Sequence, residues 1–370
     1  MTLRRLVLTN FRNIGYADLD LGPSVNLFCG MNGSGKTSLL EAVHMLSSGR
    51  SFRTRQHQSV IREGCDGLTV FGQLQEASAL GIERIRSGGG RIRINQENAA
   101  SSSQLAALLP LQVINSESFA ALDGGPGVRR RLLDWTVFHV EHSYIQAWKA
   151  YQIALKQRNA LLRRGKIKAE DIAIWEQRLA SAGNTVDSFR AATLEPLRAA
   201  FFGLLEDMPD SPLRRVEFSY RRGWRKDADL LEALAASREV DVAQGHTRIG
   251  PQRADLRFSV GGEPAHQILS RGQQKMLVCA LRAAMAAVVR KRGDKPVFLV
   301  DDLPSELDPE NQVQFAHWVS RVAGQVLVTG IEPEVTSRPW RQLAHPWNTP
   351  TMFHVEHGTI KAVPLAADNS

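Results

Sequence analysis

Residues 30–37 carry the most specific chemical pattern of the chain. They read Gly-Met-Asn-Gly-Ser-Gly-Lys-Thr and match the phosphate-binding pattern GxxxxGK[ST] in full. Because glycine has no Cβ, such a loop can curl and point main-chain N–H groups at phosphate oxygens. We expect Lys36 to neutralise the β- and γ-phosphates of a nucleotide and Thr37 to bind Mg²⁺ through its hydroxyl. The predicted nucleotide contacts in the loop are Gly30, Met31, Asn32, Gly33, Ser34, Gly35, Lys36 and Thr37.

A pair of carboxylates, Asp301 and Asp302, follows the apolar run 296–300, which is typical of a buried parallel strand. In a chain with a phosphate loop, Asp301 is predicted to hold Mg²⁺, and Asp302 to orient or deprotonate the attacking water. Lys36 and Asp302 are therefore the predicted catalytic residues, and Thr37 and Asp301 the predicted metal ligands. The alternative interpretation is a strand that ends in two solvated acids.

The sequence around the loop predicts the elements that would position it. Residues 24–29 form a short apolar run of strand type, and residues 38–46 carry apolar side chains at helical spacing before Gly49 offers a stop. Strand, glycine-rich loop and helix are the arrangement that phosphate binding requires. A glycine-rich turn with a chance lysine is the alternative.

The middle of the chain changes from strand to helix patterns. Residues 82–86 and 91–94, separated by Ser-Gly-Gly-Gly, predict a hairpin. Apolar residues then recur every seven positions over 148–162 and step by four and three over 175–189. We predict two antiparallel helices joined by the polar segment 163–168, in a helical arm only a few turns long.

Further motifs resemble those of ABC-type ATPases and of their SMC-like branch. Residues 269–273 (Leu-Ser-Arg-Gly-Gln) are similar to the ABC signature, residues 305–308 to the D-loop, and residues 8–13 to the start of SMC-type ATPases. The resemblance narrows to the RecF family of bacterial recombination mediators in several other segments: 125–135, 138–142, 154–162, 247–251 and 253–256. Nearly the whole chain takes part in this resemblance.

The resemblance implies an α/β fold, an ABC-type P-loop ATPase head with an inserted helical arm domain. We expect the head in two parts, residues 1–115 and 245–370, with the inserted helical domain at residues 116–244. The arm occupies the place where SMC-type proteins carry a long coiled coil.

The resemblance also implies a function, an ATP-dependent DNA-binding protein of recombinational repair and replication-fork maintenance, acting in the SOS response to DNA damage. ATP with Mg²⁺ would join two copies, so that Ser270 and Gly272 of one copy contact the γ-phosphate held by Lys36 of the other. The homodimer would clamp DNA, single-stranded or gapped duplex, and hydrolysis assisted by Asp302 would release it. Hydrolysis would be weak, DNA-stimulated and used as a switch. The implied partners are RecR and RecO, in loading the RecA recombinase.

The chain departs from these families at three positions. Asp302 stands where most ABC-type ATPases have glutamate, and the shorter acid would hold the attacking water differently. Gln252 stands where the RecF pattern has histidine. Thr329 follows the strand 325–328, where a switch-loop histidine is expected.

Charge points to the kind of partner. The chain has 370 residues, 43% of them hydrophobic, and a formal net charge of +8. Basic groups bind the DNA backbone without regard to base order, and no sequence-reading motif is present, so recognition of DNA form is predicted. The alternative is that the charge serves solubility alone. The basic clusters behind the prediction are Arg129-Arg130-Arg131, Arg163-Arg164 with Lys166 and Lys168, Arg221-Arg222 with Arg225-Lys226, and Arg290-Lys291-Arg292.

The cysteines and the start of the chain bear on location. Cys29, Cys65 and Cys279 are odd in number and widely spaced, which favours reduced thiols. No apolar run reaches about 18 residues, and the first ten residues have strand character rather than a signal-peptide core. A cytoplasmic protein without membrane association is predicted.

Three other interpretations stay open on sequence grounds. The ATPase motifs are shared with the ATPase subunits of membrane transporters, although the long stretch between Lys36 and Ser270 leaves room for an insertion that such subunits lack. A structural chromosome-organising protein would need a longer arm. The pentapeptide Phe-His-Val-Glu-His, at 138–142 and 353–357, could bring two histidines to a metal, although isolated pairs are more often structural.

Overall fold

The computed structural model describes residues 2–75, 78–164 and 169–363. By their contacts the residues form two compact units. The head unit comprises the described parts of 1–119 and 275–370, and the insert unit those of 120–274.

Runs of strands and runs of helices follow one another along the chain. The strands are β1 (Leu3–Phe11), β2 (Ile14–Asp20), β3 (Val25–Cys29), β4 (Gly67–Leu74), β5 (Ala79–Ile85), β6 (Gly90–Ile94), β7 (Glu97–Asn98), β8 (Leu111–Ile114), β9 (Val216–Arg221), β10 (Asp255–Val260), β11 (Glu263–Pro264), β12 (Val297–Val300), β13 (Gln325–Gly330), β14 (Thr351–Glu356) and β15 (Thr359–Val363). The α-helices are α1 (Lys36–Ser48), α2 (Ser102–Leu108), α3 (Ser116–Phe119), α4 (Pro126–Val140), α5 (Tyr144–Leu162), α6 (Ala169–Leu204), α7 (Leu230–Ala236), α8 (Arg238–Gln244), α9 (Ala265–Ile268), α10 (Arg271–Arg290), α11 (Leu303–Glu306), α12 (Pro309–Val322) and α13 (Pro333–Arg341). Short 3₁₀ turns lie at His57–Val60, Pro212–Arg215 and Pro251–Arg253.

A mainly parallel sheet in the head unit holds the loop-bearing strand near its centre. Its order is β15-β14-β3-β13-β12-β8, and all neighbouring pairs are parallel except β14 with β15. Every residue of β3 and β12 is buried, as in strands covered on both faces. The predicted strands before the loop and before Asp301 are therefore confirmed. Because parallel strands end at one edge, the residues that follow β3 and β12 lie on the same side of the sheet.

Helix α1 packs between this sheet and an antiparallel sheet of order β2-β1-β4-β5-β6-β7. Its apolar stripe, which includes Leu39 and Val43, is fully buried. Gly72 of β4 permits the close approach, since a Cβ there would lie 2.3 Å from Cδ2 of Leu46. The helix ends at Gly49, whose φ of 74° suits glycine, which confirms the predicted stop. The pairing of β5 with β6 confirms the predicted hairpin.

The insert unit is built on the helical pair α5 and α6, which pack along each other as predicted. Part of the predicted connection, 165–168, lies outside the described residues. The predicted length of a few turns is wrong for α6, which has 36 residues and contains Pro196. Its apolar stripe continues through the buried Leu197 and Phe201, beyond the segment 175–189 in which the sequence shows apolar residues at helical spacing. In the described part of the chain, no helix has the length and apolar character needed to cross a bilayer.

The insert unit also contains a small antiparallel sheet, β11-β10-β9, which was not predicted. It holds the chain after residue 245 to the insert unit, because β10 pairs with β9 and Asp255 forms an ion pair with Arg129 (2.9 Å). The contact boundaries accordingly fall at 119/120 and 274/275, whereas the sequence suggested 115/116 and 244/245.

Gln252 has a structural environment in the same unit. Its Nε2 donates to the carbonyl oxygens of Thr247 (3.3 Å) and Ile249 (2.8 Å). Its Oε1 accepts a hydrogen bond from the Tyr151 hydroxyl. These bonds brace the loop around Gly250, whose φ of 118° strongly favours glycine.

Candidate nucleotide-binding site

The loop after β3 has the curled conformation that glycine permits. Gly33 and Gly35 have φ angles of 78° and 119°. Gly30 lies so close to β14 that a Cβ would meet the carbonyl oxygen of Val355 at 2.1 Å. A side chain at position 30 would displace that strand, and one at 33 or 35 would strain the backbone. Backbone geometry alone therefore explains these three glycines.

Lys36 begins α1 and folds back over the loop. Its Nζ donates to the carbonyl oxygens of Gly30 (2.7 Å) and Met31 (2.9 Å). Burial lowers the pKa of the ammonium, although the carboxylates of Asp302 and Asp301 act in the opposite direction. The positive end of α1 lies at the same place, so ammonium and helix end together favour an anion.

Thr37 and Asp301 meet at the edge of the parallel sheet. The Thr37 Oγ1 lies 3.0 Å from each carboxylate oxygen of Asp301. Asp301 also accepts a hydrogen bond from Thr329 Oγ1 (2.7 Å), and its main-chain N–H donates to the carbonyl of Ile114 (2.8 Å). Thr329, the residue in the switch-loop position, thus orients the acid from the neighbouring strand.

Asp302 adopts an uncommon backbone conformation, with φ at 53°. Aspartate and asparagine tolerate this left-handed region better than most residues. The main-chain N–H of Asp302 donates to Thr329 Oγ1 (2.9 Å), and its Oδ2 accepts from Ser305 Oγ (2.6 Å). The turn brings both successive carboxylates, Asp301 and Asp302, to one cavity.

That cavity has a volume of about 560 Å³ and lies beside the loop. The residues that line it are Arg12, Asn13, Asn32, Gly33, Gly35, Lys36, Thr37, Ser38, Arg53, Ser59, Ile61, Glu63, Asp301, Asp302 and Thr329. Three predicted loop contacts, Gly30, Met31 and Ser34, do not line it. The Ser34 Oγ is nevertheless buried and has no hydrogen-bond partner among the described residues. Such a group calls for a ligand or a water.

A buried acid beside the cavity was not predicted. Glu41 is fully buried in α1 and pairs with Arg12, whose Nη2 lies 2.8 Å from Oε1 and whose Nε donates to Oε2 at 3.0 Å. The Ser51 hydroxyl also donates to Glu41, and Arg53 Nη1 lies 3.9 Å from it. Arg12 donates in addition to the carbonyl of Ser59 (2.7 Å). This network fixes the Arg12 guanidinium at the cavity wall and places that of Arg53 beside it.

Asn13 supports the loop from the neighbouring chain segment. Its Nδ2 donates to the carbonyl of Ser34 (3.1 Å) and lies against Gly35. Arg12 and Asn13 belong to the segment 8–13, which resembles SMC-type ATPases. That resemblance is the feature of the sequence that could have indicated a role for both residues in the site. For Glu41 the corresponding feature is its position within the apolar stripe of the predicted helix, where an acidic residue needs a partner.

Ser270 caps the N-terminus of α10. Its N–H donates to Gln273 Oε1 (2.9 Å), and the Gln273 N–H donates to Ser270 Oγ (3.3 Å), which is a reciprocal capping box. Both Ser270 and Gly272 are exposed, and apart from its chain neighbours and the backbone of its own helix no described atom lies within 4 Å of the Cβ position of Gly272. They belong to the insert unit and do not line the cavity. Their predicted contact with a nucleotide on a second copy stays a prediction.

Further along α10, Lys275 contacts the predicted D-loop within the head unit. Its Nζ lies 2.8 Å from the Glu306 carboxylate and also donates to the Glu306 carbonyl (2.8 Å). Ser116 Oγ donates to the same carboxylate (2.5 Å). Burial alone would raise the pKa of Glu306, but the hydrogen bonds from Lys275 and Ser116 hold it below the ordinary value. The part of α10 that belongs to the head unit is thereby held against the segment 305–308.

The basic clusters differ in how far they are already engaged. Arg129 is paired with Asp255, Arg130 donates to the Ala254 carbonyl (2.6 Å), and Arg222 pairs with Asp187 (2.9 Å). The exposed members are Arg131, Arg163, Arg164, Arg221, Arg225, Lys226, Arg290, Lys291 and Arg292, while Lys166 and Lys168 lie outside the described residues. Contacts within the insert unit therefore account for some of the basic residues in the clusters 129–131 and 221–226.

The pentapeptide histidines have no metal-site geometry. Among the residues that the structure describes, no group of three or more histidine, cysteine, aspartate or glutamate side chains could hold a metal. The centroid of the His139 ring lies 4.5 Å from that of Trp135 and 4.9 Å from that of Phe138. Burial lowers the pKa of His139 to about 4. Trp135 and His139 thus pack on each other.

A parallel sheet whose central strand leads into a glycine-rich loop and helix, with a Thr–Asp pair at the sheet edge, defines a P-loop ATPase head. The family model of the RecF/RecN/SMC N-terminal domain matches residues 2–345. The chain is 45% identical to the DNA replication and repair protein RecF of Stutzerimonas stutzeri (strain A1501), over 97% of each chain. It is also 45% identical to the protein of that name from Pseudomonas aeruginosa (strain LESB58), again over 97% of each.

Solved structures show the same fold. The recombination mediator protein RecF-ATP of the RecFOR pathway superposes with a TM-score of 0.84 at 23% identity, covering 98% of this chain and 97% of its own. An Smc head bound to the C-winged helix domain of ScpA gives 0.57 at 14% identity, covering 100% and 98%. The chain belongs to the RecF family of DNA replication and repair proteins. The resemblance read from the motifs and the predicted fold class are both confirmed.

Proposed function

We propose that the chain binds ATP with Mg²⁺ beside the loop and uses the nucleotide to control its hold on DNA in recombinational repair. The observation that carries the proposal is the convergence of Lys36, Thr37 and Asp301 on one cavity. Membership of the RecF family and the formal charge of +8 support the DNA-binding part.

The residues at the sheet edge fit a magnesium ion. Mg²⁺ prefers oxygen ligands and is commonly held by one or two protein groups together with phosphates and waters. The Thr37 hydroxyl and the Asp301 carboxylate, 3.0 Å apart, offer such oxygens. When bound, the ion would neutralise phosphate charge. Thr329 would keep the carboxylate oriented, while Lys36 would exchange its loop carbonyls for phosphate oxygens.

Asp302 is proposed as the base for hydrolysis. Its carboxylate lines the cavity next to Asp301 and is held by the Ser305 hydroxyl (2.6 Å). A carboxylate in this position can accept a proton from water or orient it for attack. With this role we propose a weak ATPase activity that is stimulated by DNA and used as a switch.

The active site is proposed to be completed by a second copy. Ser270 Oγ accepts one hydrogen bond from Gln273, so its own proton is available to a phosphate oxygen. Open space at Gly272 would let a phosphate approach the helix end closely. ATP would thus join two copies over single-stranded or gapped duplex DNA, and hydrolysis would release them. RecR and RecO are the proposed partners, in loading RecA.

The test is sizing by light scattering with and without ATP and DNA. The parent protein should be mainly monomeric alone and dimeric with ATP. Ser270→Arg should bind ATP as a monomer but fail to dimerise, because a bulky cation enters the interface. Mixing Ser270→Arg with Lys36→Met leaves one intact composite site in each mixed dimer and should restore some ATPase activity. No restoration, with both variants folded, would count against the composite site.

The alternative of a transporter ATPase receives no support from the comparisons. DNA-stimulated ATPase activity would distinguish the two functions directly, since a transporter subunit has no reason to respond to DNA.

A further inference from the structure

The insert unit contains a second cavity, which the proposed ATP chemistry does not use. It has a volume of about 380 Å³, within the roughly 300–1,000 Å³ of small-molecule pockets. The Trp224 indole, Ile249 and a set of alanines form its apolar wall, and Glu232 and Ser237 add polar groups. A flat aromatic group with a few hydrogen-bonding atoms matches this lining.

The indole of Trp224 is held rigidly. The Arg222 guanidinium lies 3.9 Å from the ring centroid, and Arg222 is itself fixed by its ion pair with Asp187 (2.9 Å). The indole N–H donates to the Ala228 carbonyl (3.2 Å). Arg222 does not line the cavity, so the cavity meets a part of the ring that Arg222 leaves free. A preorganised ring loses little entropy when another ring stacks on it.

Two loops with exposed basic side chains converge beside this cavity. The Gly250 N–H donates to the Gly223 carbonyl (3.2 Å), and a Cβ at Gly223 would lie 2.2 Å from the Gly250 oxygen. The loops 221–226 and 247–254 are therefore in direct contact. Their exposed cations are Arg221, Arg225, Lys226, Arg248 and Arg253.

Among the residues that the structure describes, Arg225 alone of these five cations forms an ion pair with an acidic side chain. Arg225 pairs with Asp227 (2.8 Å), and both side chains are well exposed. An exposed pair of this kind is strongly screened by solvent, so Arg225 can exchange its carboxylate partner for a phosphate. Arg225 lines the cavity, and the adjoining loops carry further positive charge that complements a polyanion.

We propose that this cavity binds single-stranded DNA, with an unpaired base stacked on Trp224 and the adjoining phosphates on the two basic loops. Aromatic platforms flanked by basic groups are the combination by which proteins hold single strands. A base within a duplex is already stacked and cannot enter, so the site selects unpaired DNA. Glu232 can accept hydrogen bonds from the amino groups of a base. The inference rests on the proposed DNA-binding function and gives its single-stranded part a location.

The test measures binding of labelled oligo(dT) and of a blunt duplex by fluorescence anisotropy. Trp224→Ala should weaken oligo(dT) binding roughly 5- to 150-fold, the range expected for loss of one stacked base, and should leave duplex binding unchanged. Trp224→Phe should restore most of the affinity. Trp175→Ala is the matched control, because Trp175 also lies under a guanidinium, that of Arg178 (5.0 Å), but does not line the cavity.

Two further variants keep the test decisive if Trp224→Ala fails to fold. Ala236→Leu places an apolar side chain at the exposed end of α7 and should block the cavity without removing the indole. Arg253→Gln should weaken binding and lower the salt dependence of oligo(dT) affinity by about one phosphate contact. Parent-like oligo(dT) affinity in both variants would overturn the proposal and leave the cavity to a protein partner.

The outcomes separate this inference from the proposed function. If the parent protein binds duplex DNA but not oligo(dT), the inference is wrong and the ATP-gated DNA-binding function stands. If it binds neither DNA, with or without ATP, the proposed function itself fails.

Discussion

Each unit buries a cation, and the two are surrounded in opposite ways. In the insert unit Arg158 is fully buried, and its guanidinium reaches Glu176 (2.9 Å), Asp241 (2.7 Å) and the Thr247 hydroxyl (2.8 Å). In the head unit Lys36 is only 8% exposed, yet its hydrogen bonds go to carbonyl oxygens of its own loop. Arg158 is bonded directly to carboxylates, whereas Lys36 donates hydrogen bonds only to neutral carbonyls, and the carboxylates of Asp302 and Asp301 act on it only through their charge.

The difference separates a structural charge from a functional one. Taking a charge out of water costs several kcal/mol, and the cost must be offset by partners. For Arg158 two carboxylates supply them, so no external anion is needed. For Lys36 the hydrogen-bond partners are neutral carbonyls, so an incoming phosphate would stabilise the ammonium further. Burial of a basic residue is therefore no guide to its role until its partners are known.

The largest expected effect follows from breaking the satisfied network. Arg158→Met should lower the free energy of unfolding by about 3–5 kcal/mol, because Asp241 would stay buried without a cation and Glu176 would keep only the partly exposed Arg238. Denaturant unfolding measures this. The control is Arg238→Met, which removes the other partner of Glu176 (2.6 Å), one whose side chain is 36% exposed. Equal losses in the two variants would contradict the assignment, as would a change in ATP affinity of the folded Arg158→Met protein.

The contrast between the two units also marks what sequence could predict. The loop 30–37 was recognised because one continuous segment carries it, and its strand and helix because a short apolar run and a helical repeat flank it. The network around Arg158 could not be recognised, since its members are scattered between positions 158 and 247 and only the fold brings them together. The ion pair of Glu41 with Arg12 and the sheet formed by β9 and β10 also join residues that are distant in sequence, so neither could be predicted. Local periodicity predicts elements, and it does not predict which distant charges meet.

Second in size is the loss of the proposed base. Asp302→Asn should slow ATP hydrolysis by at least roughly 100-fold, the low end of the contribution of general-base catalysis, and should prolong ATP-bound dimers and DNA complexes. The fold should be kept, because asparagine tolerates the positive φ of 53° and can still accept from Ser305. Single-turnover hydrolysis is the measurement, with Glu310→Gln at an exposed position of α12 as the control. Hydrolysis at the parental rate would remove Asp302 from the mechanism.

Removing Lys36, the cation without a directly bonded carboxylate, should weaken ATP binding and change the stability of the fold little. Lys36→Met should weaken ATP binding roughly 10- to 150-fold, which corresponds to the roughly 1.5–3 kcal/mol of a hydrogen bond to a charged group. Unfolding without nucleotide should change little, since no buried carboxylate would lose a hydrogen-bond partner. Calorimetric titration with ATP tests the first part, with the exposed Lys291→Met as the control. Tight ATP binding by a folded Lys36→Met protein would sink the assignment of the loop.

The smallest effect concerns a third way to bury a titratable group, which is to keep it neutral. Burial lowers the pKa of His139 to about 4, from an ordinary value of 6.5. His139 is therefore protonated below pH 6.5 in the unfolded chain, but only below about pH 4 in the folded chain. The stabilisation is complete above pH 6.5 and is lost as the pH falls toward 4. At pH 5 the loss should be about 2 kcal/mol, since one pKa unit corresponds to about 1.4 kcal/mol.

His139→Leu should remove this pH dependence. Going from pH 8 to pH 5, the parent protein should lose about 2 kcal/mol of unfolding free energy more than the variant, because leucine has no proton to accept. The matched control is His142→Leu in the same pentapeptide, where the ring is exposed and solvated in both states. Denaturant unfolding at the two pH values gives the comparison. If His139→Leu and the parent lose the same stability, His139 is protonated in the fold, and a counter-charge must then accompany it, as it does Arg158.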